Sequence, residues 1–103
     1  MRYIMKLEIP MGPGNAALKD PQFGQKMGQL LAEIKAEAAY FTTINGNRGG
    51  YIIVNMTDAS QIPAIAEPFF FWLQAKIDWM PCMLPQDLQK AGSGIEAALK
   101  KWA

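Results

Sequence analysis

Glu67 is the residue of this chain best placed to carry acid–base chemistry. It precedes Pro68 and an aromatic run at residues 69–72 that could wall an apolar pocket. A carboxylate beside such walls is suited to moving protons. The alternative is that Glu67 lies at the end of a helix and faces water. Asp58 is more simply explained as a helix cap and Asp78 as a cross-strand partner, so Glu67 is the one catalytic candidate.

Five residues are candidates for binding a substrate. Arg48 lies in a glycine-rich turn, and its planar guanidinium could clamp an acidic ligand, although an arginine in a turn can also be simply solvated. The aromatic residues that could line a small-molecule cavity are Tyr40, Phe41, Phe70, Phe71, Trp72 and Trp79. The four taken from them as binding candidates are Tyr40, Phe70, Trp72 and Trp79. In a domain of this size the same rings can instead form the core, and both explanations stay open.

The chain has no histidine, and this absence excludes more chemistry than any motif supports. Ser-His-Asp and Cys-His catalytic pairs cannot be assembled, and a haem or zinc site ligated by imidazole is ruled out. The single cysteine, Cys82, has no cationic neighbour in sequence that would activate it, so a quiet buried thiol is expected. We predict no metal site and no cofactor.

Charge and hydropathy exclude several classes of partner. Ten basic and nine acidic residues leave a net charge of +1, with no block of like charge longer than Lys100-Lys101, so we expect neither a nucleic-acid nor a membrane partner. The run RGGYIIV resembles an RNA-binding strand signature, but its base-stacking positions hold Gly50 and Ile52. A single cysteine, no membrane-length apolar run and no signal-peptide pattern predict a cytoplasmic protein.

Periodicity predicts the first elements of the fold. Apolar and charged residues alternate over 2–9, which is typical of a half-buried strand. A loop rich in proline and glycine should follow and run to Asp20-Pro21, where Asp20 caps a helix and Pro21 is its first residue. Apolar residues at helical spacing then extend that helix to Ala38.

The second half of the chain repeats this order. Residues 39–45 and 51–56 read as a hairpin around a glycine-rich turn at 45–50. Asp58 and Gln61 fit a capping box for a second helix, whose length Pro68 should limit. Residues 74–80 alternate as a fourth strand that ends at Pro81, and Pro85 opens a last helix with a break near Ser93.

This order predicts a single α+β domain, residues 1–103, of the ferredoxin-like βαββαβ kind with a C-terminal helix. Its four-stranded antiparallel sheet should have the strand order 4-1-3-2, with both crossover helices on one face. Strands one and four are then neighbours. With Leu7 opposite Ile77, that pairing brings Lys6 opposite Asp78 and Glu8 opposite Lys76, two pairs of opposite charge. A register shifted by two residues would preserve the same faces.

The sheet face away from the helices carries a mixture of charged and apolar residues, including Ile4, Lys6, Glu8, Lys76 and Asp78. This mixture is too polar for a monomer core and too apolar for idle surface. We therefore predict a homodimer that forms through this open face. The alternative is an ordinary solvated face, which is common in antiparallel sheets.

The run IKAEAAYFTTINGNRGGYIIVNMTDASQIPAIAEPFF, with the later MLPQDLQKAGSGIEAALKK, resembles short, mostly bacterial proteins of unknown function. These belong to the dimeric α+β barrel superfamily and are structurally akin to muconolactone isomerase. The likeness covers nearly the whole chain, and residues 58–68 are its most specific part. It implies a ferredoxin-like homodimer whose two sheets face each other, and it implies no particular reaction.

Two functional hypotheses follow from these observations. The first is a small homodimeric enzyme, of isomerase or monooxygenase type, that works without a cofactor on a small apolar or aromatic compound. It requires a closed cavity between sheet and helices with Glu67, Arg48 or Tyr40 pointing inward. The second is a non-catalytic dimeric module that binds a metabolite or another protein, and it is favoured by a pocket with no titratable group inside it.

Overall fold

A computed structural model describes all 103 residues, Met1–Ala103. The fold class is α+β, as predicted, with one four-stranded antiparallel sheet in the order β2-β3-β1-β4 and five helices. None of these helices has the length and hydrophobicity needed to span a bilayer. The elements in chain order are β1 (Arg2–Ile9), α1 (Met11–Leu18), α2 (Phe23–Glu33), β2 (Ala38–Ile44), β3 (Asn47–Asn55), a 3-10 turn (Ala59–Gln61), α3 (Ile62–Leu73), β4 (Lys76–Pro81), α4 (Pro85–Lys90) and α5 (Gly92–Trp102).

The core lies between one face of the sheet and helices α2 and α3. Side chains alternate along β1, so that Met5, Leu7 and Ile9 are buried while the even-numbered residues between them remain partly exposed. On α3, Phe69 and Leu73 are fully buried against this row. Each buried apolar side chain of this size stabilises the fold by about 1.5–3 kcal/mol.

The predicted pairing of strands one and four is confirmed. Lys6 lies opposite Asp78, Leu7 opposite Ile77 and Glu8 opposite Lys76. Strand β4 is at the edge of the sheet and ends at Pro81, where proline's missing N–H costs no ladder hydrogen bond. Its start is two residues later than predicted.

The predicted loop after the first strand is wrong, because residues 11–18 form helix α1. Pro13 is the third residue of this helix, where a backbone N–H has no intrahelical partner to lose. Gly14 donates its N–H to the Pro10 carbonyl at 2.9 Å and is buried. A Cβ on Gly14 would lie 3.1 Å from Arg48 and 3.3 Å from Ile9, so the missing side chain lets α1 approach the sheet closely.

Helix α2 is shorter than predicted at both ends. It begins two residues after Pro21, and the Asp20 carboxylate accepts a hydrogen bond from the Gln22 N–H at 2.9 Å in the preceding turn. The chain leaves the helix at Lys35, whose φ of 55° is left-handed. Ala38 therefore belongs to β2 and not to the helix.

The hairpin turn is also tighter than predicted. Only Asn45 and Gly46 connect β2 to β3, both with positive φ, which suits the right-handed twist of the two strands. Gly49 and Gly50 lie inside β3, where the neighbouring strands come too close for a side chain. A Cβ on Gly50 would lie 2.5 Å from the Tyr40 carbonyl oxygen.

The capping box before α3 is confirmed: Asp58 accepts from the Ser60 N–H at 2.8 Å, and the Gln61 side chain accepts from the Asp58 N–H at 3.1 Å. The prediction that Pro68 limits this helix is wrong, since α3 continues to Leu73. Burial of Phe69 and Leu73 outweighs the hydrogen bond that the proline removes. The C-terminal helix breaks at Ala91, two residues before the predicted position.

The close approach at Gly50 predicts a strong effect of adding one methyl group. We expect Gly50→Ala to lower the free energy of unfolding by about 1–3 kcal/mol, because backbone must move to admit the Cβ. Gly28→Ala is the matched control: nothing lies within 4 Å of its Cβ, and alanine in a helix interior gains up to about 1 kcal/mol. Urea unfolding measures both changes, and equal stabilities would contradict the prediction.

Candidate functional site

An apolar groove of about 390 Å³ lies between helix α2 and the β2–β3 side of the sheet. Six of its ten lining residues are hydrophobic, three are glycine, and Arg48 is the one charged side chain. The hydrophobic six are Ile9, Leu18, Phe23, Met27, Leu31 and Phe41. The groove can therefore hold an apolar body and present one cation to it.

Helix α2 forms one wall of the groove. Phe23, Met27 and Leu31 recur every four residues, which places them along one side of the helix. Gly24 and Gly28 also line the groove, and a Cβ on either would meet nothing within 4 Å. The space that two side chains would occupy is thus left open to a ligand.

Phe41 closes the opposite side from edge strand β2. It pairs with Gly50, and a Cβ on that glycine would lie 3.2 Å from the Phe41 ring, so the ring leans over the bare backbone of β3. The Phe41 side chain nevertheless stays 56% exposed. A large exposed aromatic ring above an apolar groove provides contact area for a ligand.

Arg48 stands at the mouth of the groove beside α1. It lies opposite Ile9 on the helix-covered face, and its Nη1 donates to the Asn15 side-chain oxygen at 2.9 Å. The only two ion pairs of the chain join Arg2 to Glu37 and Lys100 to Glu96, so no carboxylate neutralises Arg48. Most of its five donors are free for an acidic ligand.

Glu8 holds in place the hairpin that carries Arg48 and Phe41. The side-chain amides of Asn45 and Asn47 donate to its two carboxylate oxygens at 2.9 and 3.0 Å. These two hydrogen bonds, with a smaller contribution from the positive charge of Lys76, hold the pKa of Glu8 below its ordinary value. The carboxylate thus ties the turn to the central strand β1.

The structure does not bring the other predicted site residues to the groove. Glu67 is exposed on α3 and lines no depression of the surface. Tyr40 is 65% exposed and pairs with Tyr51 on the open face, opposite to the groove. Phe70 is 39% exposed and contributes to no cavity.

Neither tryptophan candidate reaches the groove, although Trp72 lines a separate depression of about 190 Å³ between α2 and α3. Trp72 packs on Phe23 with 5.3 Å between ring centroids, and the Lys26 ammonium lies 4.8 Å from its ring centre. Trp79 meets Tyr3 edge-to-face at 6.2 Å. Both tryptophans are half-buried against the core.

Sequence reasoning named Arg48 and the Phe41 ring but missed the rest of the surface around them. Leu18 was missed because α1 was predicted as a loop, and Phe23, Met27 and Leu31 were interpreted only as apolar residues at helical spacing. The detectable signal was the pair Gly24 and Gly28, one helical turn apart on the same side as those apolar residues. Small residues at that spacing leave a depression in a helix surface.

Comparison with known proteins adds no assignment to this geometry. No protein-family model matches the chain, and neither the curated proteins nor the solved structures contain a detectable match. The chain also has no cluster of three or more cysteine, aspartate or glutamate side chains that could hold a metal ion.

The lowered pKa of Glu8 predicts how acid affects stability. The hydrogen bonds from Asn45 and Asn47 lower the pKa of Glu8 in the folded chain. They therefore stabilise the fold at any pH above the pKa of an unfolded glutamate, about 4.3. This stabilisation is lost as the pH falls through the lower pKa of the folded chain. Carboxylates titrate between about pH 3 and about pH 6. Over this range we expect the free energy of unfolding to fall less in Glu8→Gln than in the natural chain. Glu67→Gln, which removes a carboxylate that accepts no hydrogen bond, should leave the decline unchanged; identical profiles for the two variants would contradict the assignment.

Proposed function

We propose that this protein binds a small apolar or aromatic carboxylate in the groove between α2 and the sheet. The observation that carries the proposal is Arg48, an unpaired cation at the mouth of an otherwise apolar groove. Its planar guanidinium suits a carboxylate, and the apolar lining suits a hydrocarbon or ring behind it. Ligand sites of proteins combine a mostly apolar lining with a few polar groups that fix orientation.

The size of the groove supports a ligand of metabolite size. Its volume of about 390 Å³ is within the range of about 300–1,000 Å³ that small-molecule sites occupy. The two glycines on α2 and the bare backbone of Gly49 let a ligand approach main chain on two sides. A ring or short alkyl chain can lie between Phe41 and the helix while its carboxylate reaches Arg48.

The chemistry of the lining favours binding over catalysis. Its ten residues include no carboxylate, thiol or hydroxyl, and an arginine remains protonated at neutral pH. Acid–base catalysis needs a group that exchanges a proton near the working pH. The non-catalytic metabolite-binding module is therefore the hypothesis we carry forward, in place of a cofactor-independent enzyme.

We propose further that the domain is ferredoxin-like and forms a homodimer of the dimeric α+β barrel kind, in the cytoplasm. The open face supports the dimer. One apolar row crosses all four strands of that face: Ala38 lies opposite Ile53, Ile53 opposite Ile4, and Ile4 opposite Met80. The lone cysteine, which can form no intrachain disulfide, supports a reducing compartment.

The ligand proposal is tested with two carboxylates, phenylacetate and octanoate, and their uncharged amides. We expect Arg48→Gln to weaken carboxylate binding about 10- to 100-fold, because it removes a charge-assisted hydrogen-bond pair, and to leave amide binding unchanged. Gly28→Leu should abolish binding of all four probes, since its side chain fills the groove. Calorimetric and NMR titrations measure these affinities.

Gly12→Leu is the control for the groove-filling variant. Its Cβ also meets nothing within 4 Å, and Gly12 lies outside the groove lining. It should bind every probe as the natural chain does. Equal affinity for acid and amide, or a Gly28→Leu protein that binds normally, would refute the groove as the site.

The dimer proposal makes a separate prediction about the open face. Ile53 lies in the centre of the apolar row, and Ile53→Asp would place two uncompensated charges in a symmetric interface. We expect this variant to elute as a monomer of 11.4 kDa when light scattering is measured during size exclusion. Thr43→Asp, an exposed position of the same sheet on its other face, should remain dimeric.

A further inference from the structure

The chain after Cys82 does not pack onto the core of the domain. Residues 83–103, here called the C-terminal arm, contain helices α4 and α5 and no buried side chain. The molecule is 57 Å long but only 28 and 21 Å in its other two dimensions. Its radius of gyration is 17.2 Å, whereas a compact chain of this length has about 13 Å.

The arm carries an apolar stripe that nothing covers. Ile95, Leu99 and Trp102 recur at spacings of four and three residues along one side of α5 and are 55%, 63% and 79% exposed. Leu88 on α4, a further seven residues back, is 53% exposed. Lys100 and Lys101 are in the last turn of α5, and the Lys101 ammonium lies 5.3 Å from the centre of the Trp102 ring, so the helix is amphipathic with one cation over the end of the stripe. An exposed face of this kind marks an interaction surface.

The exposed area of the whole chain indicates what covers this surface. It is 7055 Å², whereas a folded monomer of 11.4 kDa exposes about 5,800 Å². The excess of about 1,300 Å² exceeds the roughly 800 Å² that each partner buries in a standard interface. A second copy of the chain removes this excess from both molecules at once, because a two-fold interface is reciprocal.

The root of the arm directs it away from its own domain. Pro81 and Pro85 bracket the connection from β4 to α4, and each proline fixes its own φ and restricts the residue before it. Cys82 is still held by a hydrogen bond from its N–H to the Arg2 carbonyl at 3.1 Å. Beyond it, a depression of about 580 Å³ lies between Met83 and the end of the sheet. The two prolines thus restrict the direction in which the arm leaves the domain.

We infer that the apolar stripe of α5 packs against a second copy of this chain, so that each subunit clasps the other with its arm. The inference rests on the homodimer proposed above and adds a second contact to it. The arm begins three residues after Met80, which is the β4 member of the apolar row, so the arm leaves the domain at the end of the strand that borders the open face. Together they give each subunit two apolar surfaces to bury.

The test compares two substitutions that add the same charge to α5. Leu99→Asp places a carboxylate in the stripe, and Ala97→Asp places one about half a turn away, on the polar side. We expect Leu99→Asp to raise the dimer dissociation constant at least about 100-fold, because a symmetric dimer loses two buried leucines. Ala97→Asp should leave the dimer dissociation constant unchanged. Aspartate is a weaker helix former than alanine, so this control also includes the loss of helix propensity. Neither position is buried in the monomer, so both variants should keep the fold, as circular dichroism would show.

Sedimentation and small-angle scattering separate the outcomes. A monomeric natural chain overturns the inference. A radius of gyration near about 13 Å would then show that the arm folds back on its own domain. Binding of the monomer to phosphatidylserine vesicles would show that the stripe contacts lipid. A dimer unaffected by Leu99→Asp also overturns it and leaves the open-face interface standing. A dimer broken by Leu99→Asp but not by Ile53→Asp supports the arm and removes the open face.

Discussion

The structure depends on strand β1 being paired on both sides while the helices cover one of its faces. It lies between β3 and β4, so its backbone hydrogen bonds hold the two halves of the chain in one sheet. Its buried residues, Met5, Leu7 and Ile9, are the row against which Phe69 and Leu73 pack. A shift of one residue in either pairing would turn that row toward the open face and expose the core.

Glycine determines where the groove can exist. Gly14 lets α1 approach the sheet beside Arg48, and Gly50 lets the Phe41 ring lie over the backbone of β3. Gly24 and Gly28 then leave an empty strip on α2 that faces those two side chains. The groove therefore results from missing side chains at four separated positions. Close neighbours require glycine at Gly14 and Gly50, whereas Gly24 and Gly28 have nothing within 4 Å of a Cβ and simply leave space.

The domain leaves two apolar surfaces uncovered, the row across the open face and the stripe on α5. Only 17 of 103 residues are buried, which is few for a chain in which half of the residues are hydrophobic. The groove lies on the helix-covered face, away from the apolar row of the open face. A dimer through the open face would therefore cover that row without closing the ligand site that we propose.

The sequence by itself determined the elements whose signal is local. Alternation over β1 and β4 predicted their faces, and Asp58 with Gln61 predicted the start of α3, because each pattern involves residues that lie close together in sequence. Alternation alone allows a register shifted by two residues, and the opposite charges of Lys6 and Asp78 and of Glu8 and Lys76 indicated the register that the structure has. Tertiary contacts decided the rest. Helix α1 forms in a proline- and glycine-rich segment because Gly14 can lie against Ile9, and α3 passes Pro68 because the residues beyond it are buried. Of the six residues predicted for the site, only Arg48 reaches the groove, since the groove is made by segments that meet only after folding, and no pattern within one segment reports the distance to another.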